Sequence, residues 1–338
     1  MKVIFGFADL GDELNTSYWR CFIPSKRLNE AGHSCVCIHI NELLHSNFVV
    51  EDGIDVIVVE RTFVAQLQSK IMEWQECGIK VVGTFDDAYH LINPHSESGQ
   101  FWRGARTDKT GHYKDFRGSL FLFDRVIVPS RVLVEDYKQF CGDIRYVPNF
   151  THPEMWKNIR KIKNDNIVIG WGGSSEHVRS WSGSGIIPAL SRLQRKYPKL
   201  SVRIYGGGKQ IPQLLRSSGV KCEFVGWVKF EQWCGELAQF DIGVAPLSGN
   251  YDDRRSYIKV LEYGLAEIPW IVSEGPPYQE CEGGIVVKNK QDKWFWVLDK
   301  MMSDVETRRR YASLGNAWAK KQDEAFLSTY EEVLSKWD

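Results

Sequence analysis

The chain has 338 residues, which is long for a single α/β core and fits two domains. Its 43% hydrophobic and 25% charged residues are typical of a globular protein, and no apolar run approaches the ~20 residues that span a bilayer. Lys+Arg and Asp+Glu number 43 each, so the formal net charge of +0 excludes a general attraction to nucleic acid or to anionic membranes.

The cysteines and the first residues indicate the compartment. The eight cysteines are scattered and form no C-x-x-C pair, so we expect reduced thiols and no zinc site. The chain runs from Met1 directly into an apolar strand, without the basic and apolar regions of a signal peptide. We therefore expect a cytoplasmic protein with no transmembrane segment.

Short apolar strands alternate with amphipathic helices through the first half of the chain. Strands are predicted at 3–7, 34–39, 55–59, 80–84, 124–129 and 144–148. Helices are predicted at 17–31, 64–77 and 130–140, and Gly32 and Gly78 stop the first two. Such alternation with short connections is typical of a parallel, doubly wound sheet. Between 88 and 119 the pattern lapses, which predicts a functional loop or lid, or else partial disorder.

The pattern breaks at 149–166 and then restarts. Strands are predicted at 167–170, 201–206, 220–225, 241–246, 270–273 and 284–287. Helices are predicted at 186–196, 211–217, 230–238, 290–302 and 305–333, with one more after the strand at 241–246. We predict an α/β protein with two tandem Rossmann-like, doubly wound domains, 1–158 and 159–315, and a cleft between them. A C-terminal helix at 316–338 is expected to pack back toward the N-terminal domain.

The second domain is arranged around a strand at 240–247, a polar loop and the helix that follows. Ser256 or Asp253 can cap this helix, in which apolar residues recur at helical spacing. A helix that opens past the carboxyl end of a buried strand offers free N–H groups, which attract phosphate. Glu262 lies roughly two turns further along, where its carboxylate can accept hydrogen bonds from sugar hydroxyls. The alternative is a salt-bridging glutamate on an ordinary crossover helix.

A glycine-rich turn follows the first strand of the second domain. Its glycines allow backbone N–H groups to close on a diphosphate. The candidates for this contact are Gly172, Gly173 and Ser174. His177, or Arg179 just beyond it, can supply the cation that a leaving diphosphate needs. An ordinary strand-to-helix turn is the alternative, since such turns are common and the match to G-x-G-x-x-G is incomplete.

The stretch 101–117 carries five basic and two acidic residues interleaved with aromatic ones. Rings that stack, together with cations, suit single-stranded or flipped nucleic acid, or an anionic glycan. Trp102 and Arg103 are therefore candidate acceptor contacts. The alternative is a solvated loop.

Paired aspartates follow the predicted strand at 80–84. Asp86 and Asp87 could hold Mg²⁺ together, but carboxylates that are neighbours in sequence often point apart. We interpret them as acceptor or structural contacts and expect no metal site.

Five segments occur in an order and at a spacing that match a known family. They are 170–177, 240–247, Ser256-Tyr-Ile-Lys-Val-Leu-Glu-Tyr263, Val147-Pro-Asn149 and Ile268-Pro269. Together they resemble the family-4 type of retaining glycosyltransferases, over nearly the whole chain. The resemblance implies the GT-B fold of two Rossmann-like domains and a UDP- or GDP-sugar donor held mainly by the second domain. It also implies that no metal is required.

The resemblance assigns donor contacts by position. Glu262 matches the second glutamate of the family's E-x7-E motif, which holds the donor ribose, and Arg254 stands in the donor site where the first glutamate is expected. Asp252 or Asp253 then takes over the sugar contacts, which makes Asp253 a candidate catalytic residue, or this subgroup manages without them. The backbone amides expected to face the diphosphate, and the cation beside them, belong to Ser256, Tyr257, Ile258 and Lys259.

The family's basic pair in the first phosphate loop is altered. Trp171 and His177 occupy those places, so the cation is expected from His177, Arg179 or Lys259. His177 is therefore a candidate catalytic residue.

In the first domain, the loop from Gly6 to Gly11 lies beneath the donor sugar and the acceptor in such enzymes. Asp9 is the candidate to contact a sugar hydroxyl during catalysis, with a loop-capping aspartate as the alternative. Arg20 belongs to the helix that follows and is expected to face the cleft as an acceptor contact.

We therefore predict a retaining glycosyltransferase that moves a sugar from a nucleotide-diphosphate sugar to a hydroxyl of a glycan or polysaccharide. Two alternatives remain open. The acceptor could be a hydroxymethylated DNA base, as in phage DNA modification, which the basic stretch 101–117 favours. The protein could also be a catalytically decayed nucleotide-binding protein, which Arg254 favours. No obligate protein partner is evident.

Overall fold

The computed structural model describes residues 1–9, 16–91, 111–162, 166–206 and 208–337. The chain forms two compact units. The first unit comprises Met1–Thr151, Arg254–Ser256 and the chain from Ala325 onward, and the second comprises His152–Asp253 and Tyr257–Glu324. Each unit is built on a parallel sheet with helices around it.

The sheet of the first unit has six parallel strands in the order β2-β1-β3-β4-β5-β6. They are β1 (Lys2–Phe7), β2 (Ser34–His39), β3 (Val56–Glu60), β4 (Lys80–Thr84), β5 (Arg125–Val128) and β6 (Ile144–Tyr146). The helices are α1 (Ile23–Glu30), α2 (Ile40–Leu43), α3 (Ala65–Glu76), α4 (Gly111–Leu122) and α5 (Arg131–Tyr137), after a π-helical turn at Tyr18–Phe22. The strands β3 and β5 are buried along their whole length, as expected for a parallel sheet covered on both faces.

The sheet of the second unit also has six parallel strands, in the order β12-β11-β10-β7-β8-β9. They are β7 (Val168–Gly173), β8 (Ser201–Gly206), β9 (Glu223–Gly226), β10 (Ile242–Ala245), β11 (Trp270–Ser273) and β12 (Ile285–Val287). The helices are α6 (Val178–Gly183), α7 (Ile186–Lys196), α8 (Gln210–Ser217), α9 (Phe230–Leu237), α10 (Ile258–Leu265), α11 (Gln291–Ser303) and α12 (Val305–Glu324). The predicted α/β class with two doubly wound sheets is confirmed.

Glycines end two helices of the first unit where the sequence predicts it. Gly32 and Gly78 have φ values of +91° and +80°, in the left-handed region that a side chain disfavours. The N–H groups of His33 and Ile79, one residue further on, donate to carbonyls in the last turn of each helix.

The last helix, α13 (Phe326–Ser335), belongs to the first unit. Phe326 and Tyr330 pack against Phe150 in the core of that unit. The buried guanidinium of Arg125 donates to the backbone oxygen of Val333 at 2.6 Å. The sequence predicts one helix over 305–333, but the structure has two, because the apolar residues of α12 and α13 are buried in different cores.

Large aromatic side chains fill the core of the second unit. Trp171, Trp181 and Trp294 are buried on one face of its sheet, and Trp270 is buried on the other. A Cβ added to Gly170 would lie 2.1 Å from the Phe240 ring, so only glycine fits there. Among the described residues, no helix is both long and apolar enough to cross a membrane.

Candidate functional site

The carboxyl end of β7 forms the centre of the candidate site in the second unit. Strand β7 ends at Gly173, and Ser174 precedes a 3₁₀ turn at Ser175–His177 that leads into α6. The glycines at this strand end are also required by packing, because neighbouring rings leave no room for a side chain. A Cβ on Gly172 would lie 2.3 Å from the ring of Trp233, and one on Gly173 would lie 2.6 Å from the ring of Trp171.

Lys259 and Glu262 project from one side of α10 toward this strand end. The Lys259 amine lies 3.2 Å from where a Cβ on Gly173 would be, and 5.6 Å from the ring centroid of Trp171. The carboxylate of Glu262 is buried and accepts a hydrogen bond from Nε1 of Trp233 at 2.9 Å. Burial raises the pKa of Glu262, while the charge of Lys259 and the Trp233 bond lower it. One acceptor position of about four on the carboxylate is thus used by Trp233.

A chain of polar groups runs behind His177. Its Nδ1 lies 3.2 Å from Oγ of Ser180, and that hydroxyl donates to Oδ2 of Asp252 at 2.6 Å. The same oxygen accepts from the backbone N–H of Ser248 at 2.7 Å. On the other side of the ring, Nε2 of His177 lies 3.5 Å from the Lys259 amine. His177, Ser180 and Asp252 are all buried.

The structure therefore brings together Gly172, Gly173, His177, Lys259 and Glu262, all predicted from the sequence. It adds two side chains that sequence reasoning missed. Trp233 carries no local signal, because it lies 29 residues before its partner Glu262 and on another helix. Ser180 lies one turn from His177 on α6, and that spacing is the signal that could have identified it.

Four further residues are predicted to contact the donor, namely Arg179, Tyr257, Ile258 and Asp253. Arg179 is exposed on α6, and Tyr257 packs edge-on against Trp318 at the start of α10, just before Ile258. The N–H of Asp253 donates to the backbone oxygen of Gly249 at 3.3 Å. Their proposed roles in donor binding stay predictions.

The segment Arg254–Ser256 belongs to the first unit. Arg254 donates from Nε to Asp136 at 2.7 Å and from Nη2 to the second oxygen of the same carboxylate at 3.1 Å. Oγ of Ser256 accepts from Nδ2 of Asn149 at 3.0 Å. A basic residue is accommodated at position 254 because it pairs with the carboxylate of Asp136. Its part in donor binding stays a prediction.

The carboxyl ends of β1, β3 and β4 meet at one edge of the first sheet. Asp9, after β1, accepts from the backbone N–H of Ser17 at 2.9 Å and is paired with Arg61 after β3. Glu60 ends β3 and is wholly buried, and its carboxylate accepts from the N–H of Ala8 at 2.9 Å and from the Ser17 hydroxyl. Asp9 therefore has the bonds of a loop-capping residue, which was the alternative interpretation. Glu60 was missed, although a carboxylate at a strand's carboxyl end is a recognisable signal.

Burial raises the pKa of Glu60 to about 7, against the hydrogen bonds from Ser17 and Ala8, which lower it. Because its folded pKa exceeds the ordinary value of 4.5, the folded state binds the proton more tightly than the unfolded state. The wild type should therefore lose about 3 kcal/mol of stability through this group as pH rises from about 4.5 to about 7.

Replacing Glu60 by glutamine should remove this dependence, because the amide does not ionise. We expect denaturant unfolding to show a difference between the two proteins that grows in favour of Glu60→Gln from pH 4.5 to pH 7.5. Glu51→Gln, an exposed position in the same unit, is the matched control. Parallel stability curves for the wild type and Glu60→Gln would contradict the assignment.

The predicted acceptor residues have internal partners. The guanidinium of Arg20 is fully buried, with Nε donating to Thr84 at 2.8 Å and Nη1 to the backbone oxygen of Val147 at 2.9 Å. Asp86 accepts from Thr16 at 3.0 Å, and Asp87 accepts from Arg255 at 2.7 Å. Their contacts with an acceptor stay predictions.

Trp102 and Arg103 lie outside the described residues, as does most of the basic stretch 101–117. Its last part belongs to helix α4. Among the described residues, no group of three or more His, Cys, Asp or Glu side chains could hold a metal ion.

Two Rossmann-like units in tandem, each with a six-stranded parallel sheet, define the fold of the GT-B glycosyltransferases. The Anabaena protein HepE, solved in complex with UDP and glucose, has this fold. It is 14% identical, and the TM-score is 0.65 over 99% of this chain and 100% of that one.

Two further solved structures agree. Sucrose-phosphate synthase from Thermosynechococcus elongatus is 14% identical with a TM-score of 0.66 over 98% of each chain. WaaG, a glycosyltransferase involved in lipopolysaccharide biosynthesis, is 14% identical with a TM-score of 0.63 over 98% of this chain and 99% of that one. No protein-family model and no curated protein matches the sequence. The likeness is therefore one of fold.

Proposed function

We propose that the protein is a retaining glycosyltransferase that moves a sugar from a UDP- or GDP-sugar to a hydroxyl of a glycan. The observation that carries this proposal is the arrangement of Lys259, His177 and Glu262 at the carboxyl end of β7. Cations and a helix start suit a diphosphate, and a buried carboxylate suits ribose hydroxyls. HepE, which shares the fold, has been solved with UDP and with UDP-glucose, which favours UDP as the nucleotide.

In this reaction the bond between the anomeric carbon and the diphosphate oxygen breaks, and its electron pair leaves with the diphosphate. The ammonium of Lys259 and the N–H groups at the start of α10 stabilise the charge that develops there. The acceptor hydroxyl bonds to the same face of the anomeric carbon, and its proton passes to the departing phosphate oxygen. Retention of configuration follows from attack on that face.

The acceptor is assigned to the first unit, where Asp9, Arg61 and Asp86 lie at neighbouring strand ends. Carboxylates held by internal bonds can still accept from a hydroxyl with their remaining lone pairs. The sugar acceptor is preferred over DNA, because the charges of the chain balance and give no general attraction to phosphate backbones.

A panel of nucleotide sugars tests the proposal. A true donor present at 100 times its Kd should stabilise the protein by ~2.7 kcal/mol in thermal unfolding. We expect one UDP- or GDP-sugar to do so, and transfer to a glycan acceptor to give product with the donor's anomeric configuration by NMR. Inverted product would contradict the retaining mechanism. Tight binding of nucleotide without transfer or hydrolysis would favour a decayed enzyme, and DNA binding that falls steeply with salt would favour a DNA acceptor.

A further inference from the structure

The polar chain from Asp252 through Ser180 to His177 has a definite direction of donation. A carboxylate only accepts hydrogen bonds, so Ser180 gives its single hydroxyl proton to Asp252 at 2.6 Å. Oγ of Ser180 is then left as an acceptor toward the ring nitrogen 3.2 Å away. Nδ1 of His177 must therefore carry a proton, whether the ring is neutral or charged.

The opposite ring nitrogen faces a cation. Nε2 of His177 lies 3.5 Å from the amine of Lys259, which as an ammonium only donates. A neutral His177 in the Nδ1-protonated form satisfies both contacts, because its Nε2 accepts from Lys259. The amine itself lies against Gly173, at the strand end where the diphosphate is proposed to bind.

We propose that Ser180 and Asp252 are positioning residues that hold His177 as its Nδ1-protonated tautomer, so that Nε2 faces the leaving diphosphate together with Lys259. This inference rests on the proposed function for the identity of the ligand. The geometry of the chain itself does not depend on that function. When an anionic diphosphate approaches, Lys259 pairs with it, and Nε2, no longer an acceptor for Lys259, takes a proton from the solvent and supplies a second donor to the diphosphate.

The surroundings of His177 agree with this role. Lys259 from α10 lies beside the ring, Asp252 from the 3₁₀ turn at Asp252–Arg254 reaches it through Ser180, and Glu176 and Arg179 flank it in sequence. The edge of the ring packs against Trp171, with centroids 5.4 Å apart. These contacts hold the imidazole with Nε2 toward Lys259, so the tautomer decides whether that nitrogen is an acceptor or a donor.

Nitrogen-15 NMR of histidine-labelled protein tests the inference directly, because two-bond correlations distinguish the tautomers. His177→Gln identifies the signals of His177 among the eight histidines. In the wild type we expect the Nδ1–H pattern, and addition of UDP should shift the Nε2 signal. Ser180→Ala should convert the ring to a mixture of tautomers and lower kcat by about tenfold or more, with a smaller effect on KM. Ser180→Thr, which keeps the hydroxyl, should restore both.

Ser182→Ala is the matched control, because Ser182 is on the same helix, is exposed, and its hydroxyl bonds to the backbone oxygen of Arg179. It should change neither the NMR pattern nor kcat. An Nε2–H pattern for His177 in the wild type would overturn the inference. UDP that binds without moving the Nε2 signal would overturn it too, while leaving the proposed function intact. Failure of every nucleotide to bind would instead contradict the proposed function.

Discussion

Replacing Lys259 by methionine should lower kcat/KM for sugar transfer by about 10²-fold or more, because one fixed donor to the leaving group is lost. Methionine keeps an unbranched stem near Trp171, whose ring centroid lies 5.6 Å from the amine, and removes the charge together with its hydrogen-bond donors. Rates should be measured with saturating acceptor and varied nucleotide sugar, alongside the Kd of UDP by calorimetry. The same protein should also bind UDP more weakly.

The control for this substitution is Lys199→Met, an exposed lysine of the second unit that lies just before β8, at the opposite edge of the sheet. It removes the same charge away from the strand end and should leave both constants within twofold of the wild type. If Lys259→Met retained wild-type transfer and wild-type affinity for UDP, the diphosphate would have to bind elsewhere.

The second large effect is expected at Glu262. Hydrogen bonds to a charged group contribute about 1.5–3 kcal/mol, so Glu262→Ala should weaken UDP binding by roughly 10- to 100-fold. A thermodynamic cycle tests whether this loss comes from the ribose: it compares the binding of UDP and of 2′,3′-dideoxy-UDP to the wild type and to Glu262→Ala. Loss of the two hydroxyls should cost the wild type about the same free energy, but should cost Glu262→Ala almost nothing further.

Two further variants keep this result interpretable. Glu262→Gln retains an acceptor for the N–H of Trp233, which lies 2.9 Å from the carboxylate, and so preserves the packing of the site. Glu267→Gln, exposed just beyond α10, is the matched control and should bind UDP normally. If the wild type and Glu262→Ala lost the same binding free energy on going from UDP to 2′,3′-dideoxy-UDP, this carboxylate would not hold the ribose.

The parts of the fold that follow from local chemistry could be predicted from the sequence. Strands such as β3 and β10 are short and apolar. Gly32 and Gly78 mark the ends of two helices, because glycine readily adopts the left-handed backbone conformation found there. His177, Lys259 and Glu262 are assigned to one donor site by their match to the family's motifs, and parallel strands place their carboxyl ends at one edge, where such a site is expected.

What could not be predicted depends on contacts between distant positions. Ser180 and Asp252 are 72 residues apart, and nothing near either one shows that they meet. The hydrogen bonds of the buried Glu60 likewise come from Ala8 and Ser17, which follow a different strand, β1. The break between α12 and α13 falls at Ala325, where neither glycine nor proline marks it.

The position of α13 in the first unit has a consequence for how the chain folds during its synthesis. Residues up to Thr151 leave the ribosome before α13, so Phe150 and its neighbours gain Phe326 and Tyr330 as partners only when α13 has emerged. Until then, part of an apolar surface stays open to solvent and to chaperones. Final stabilisation of the first unit must therefore wait until α13 has been synthesised.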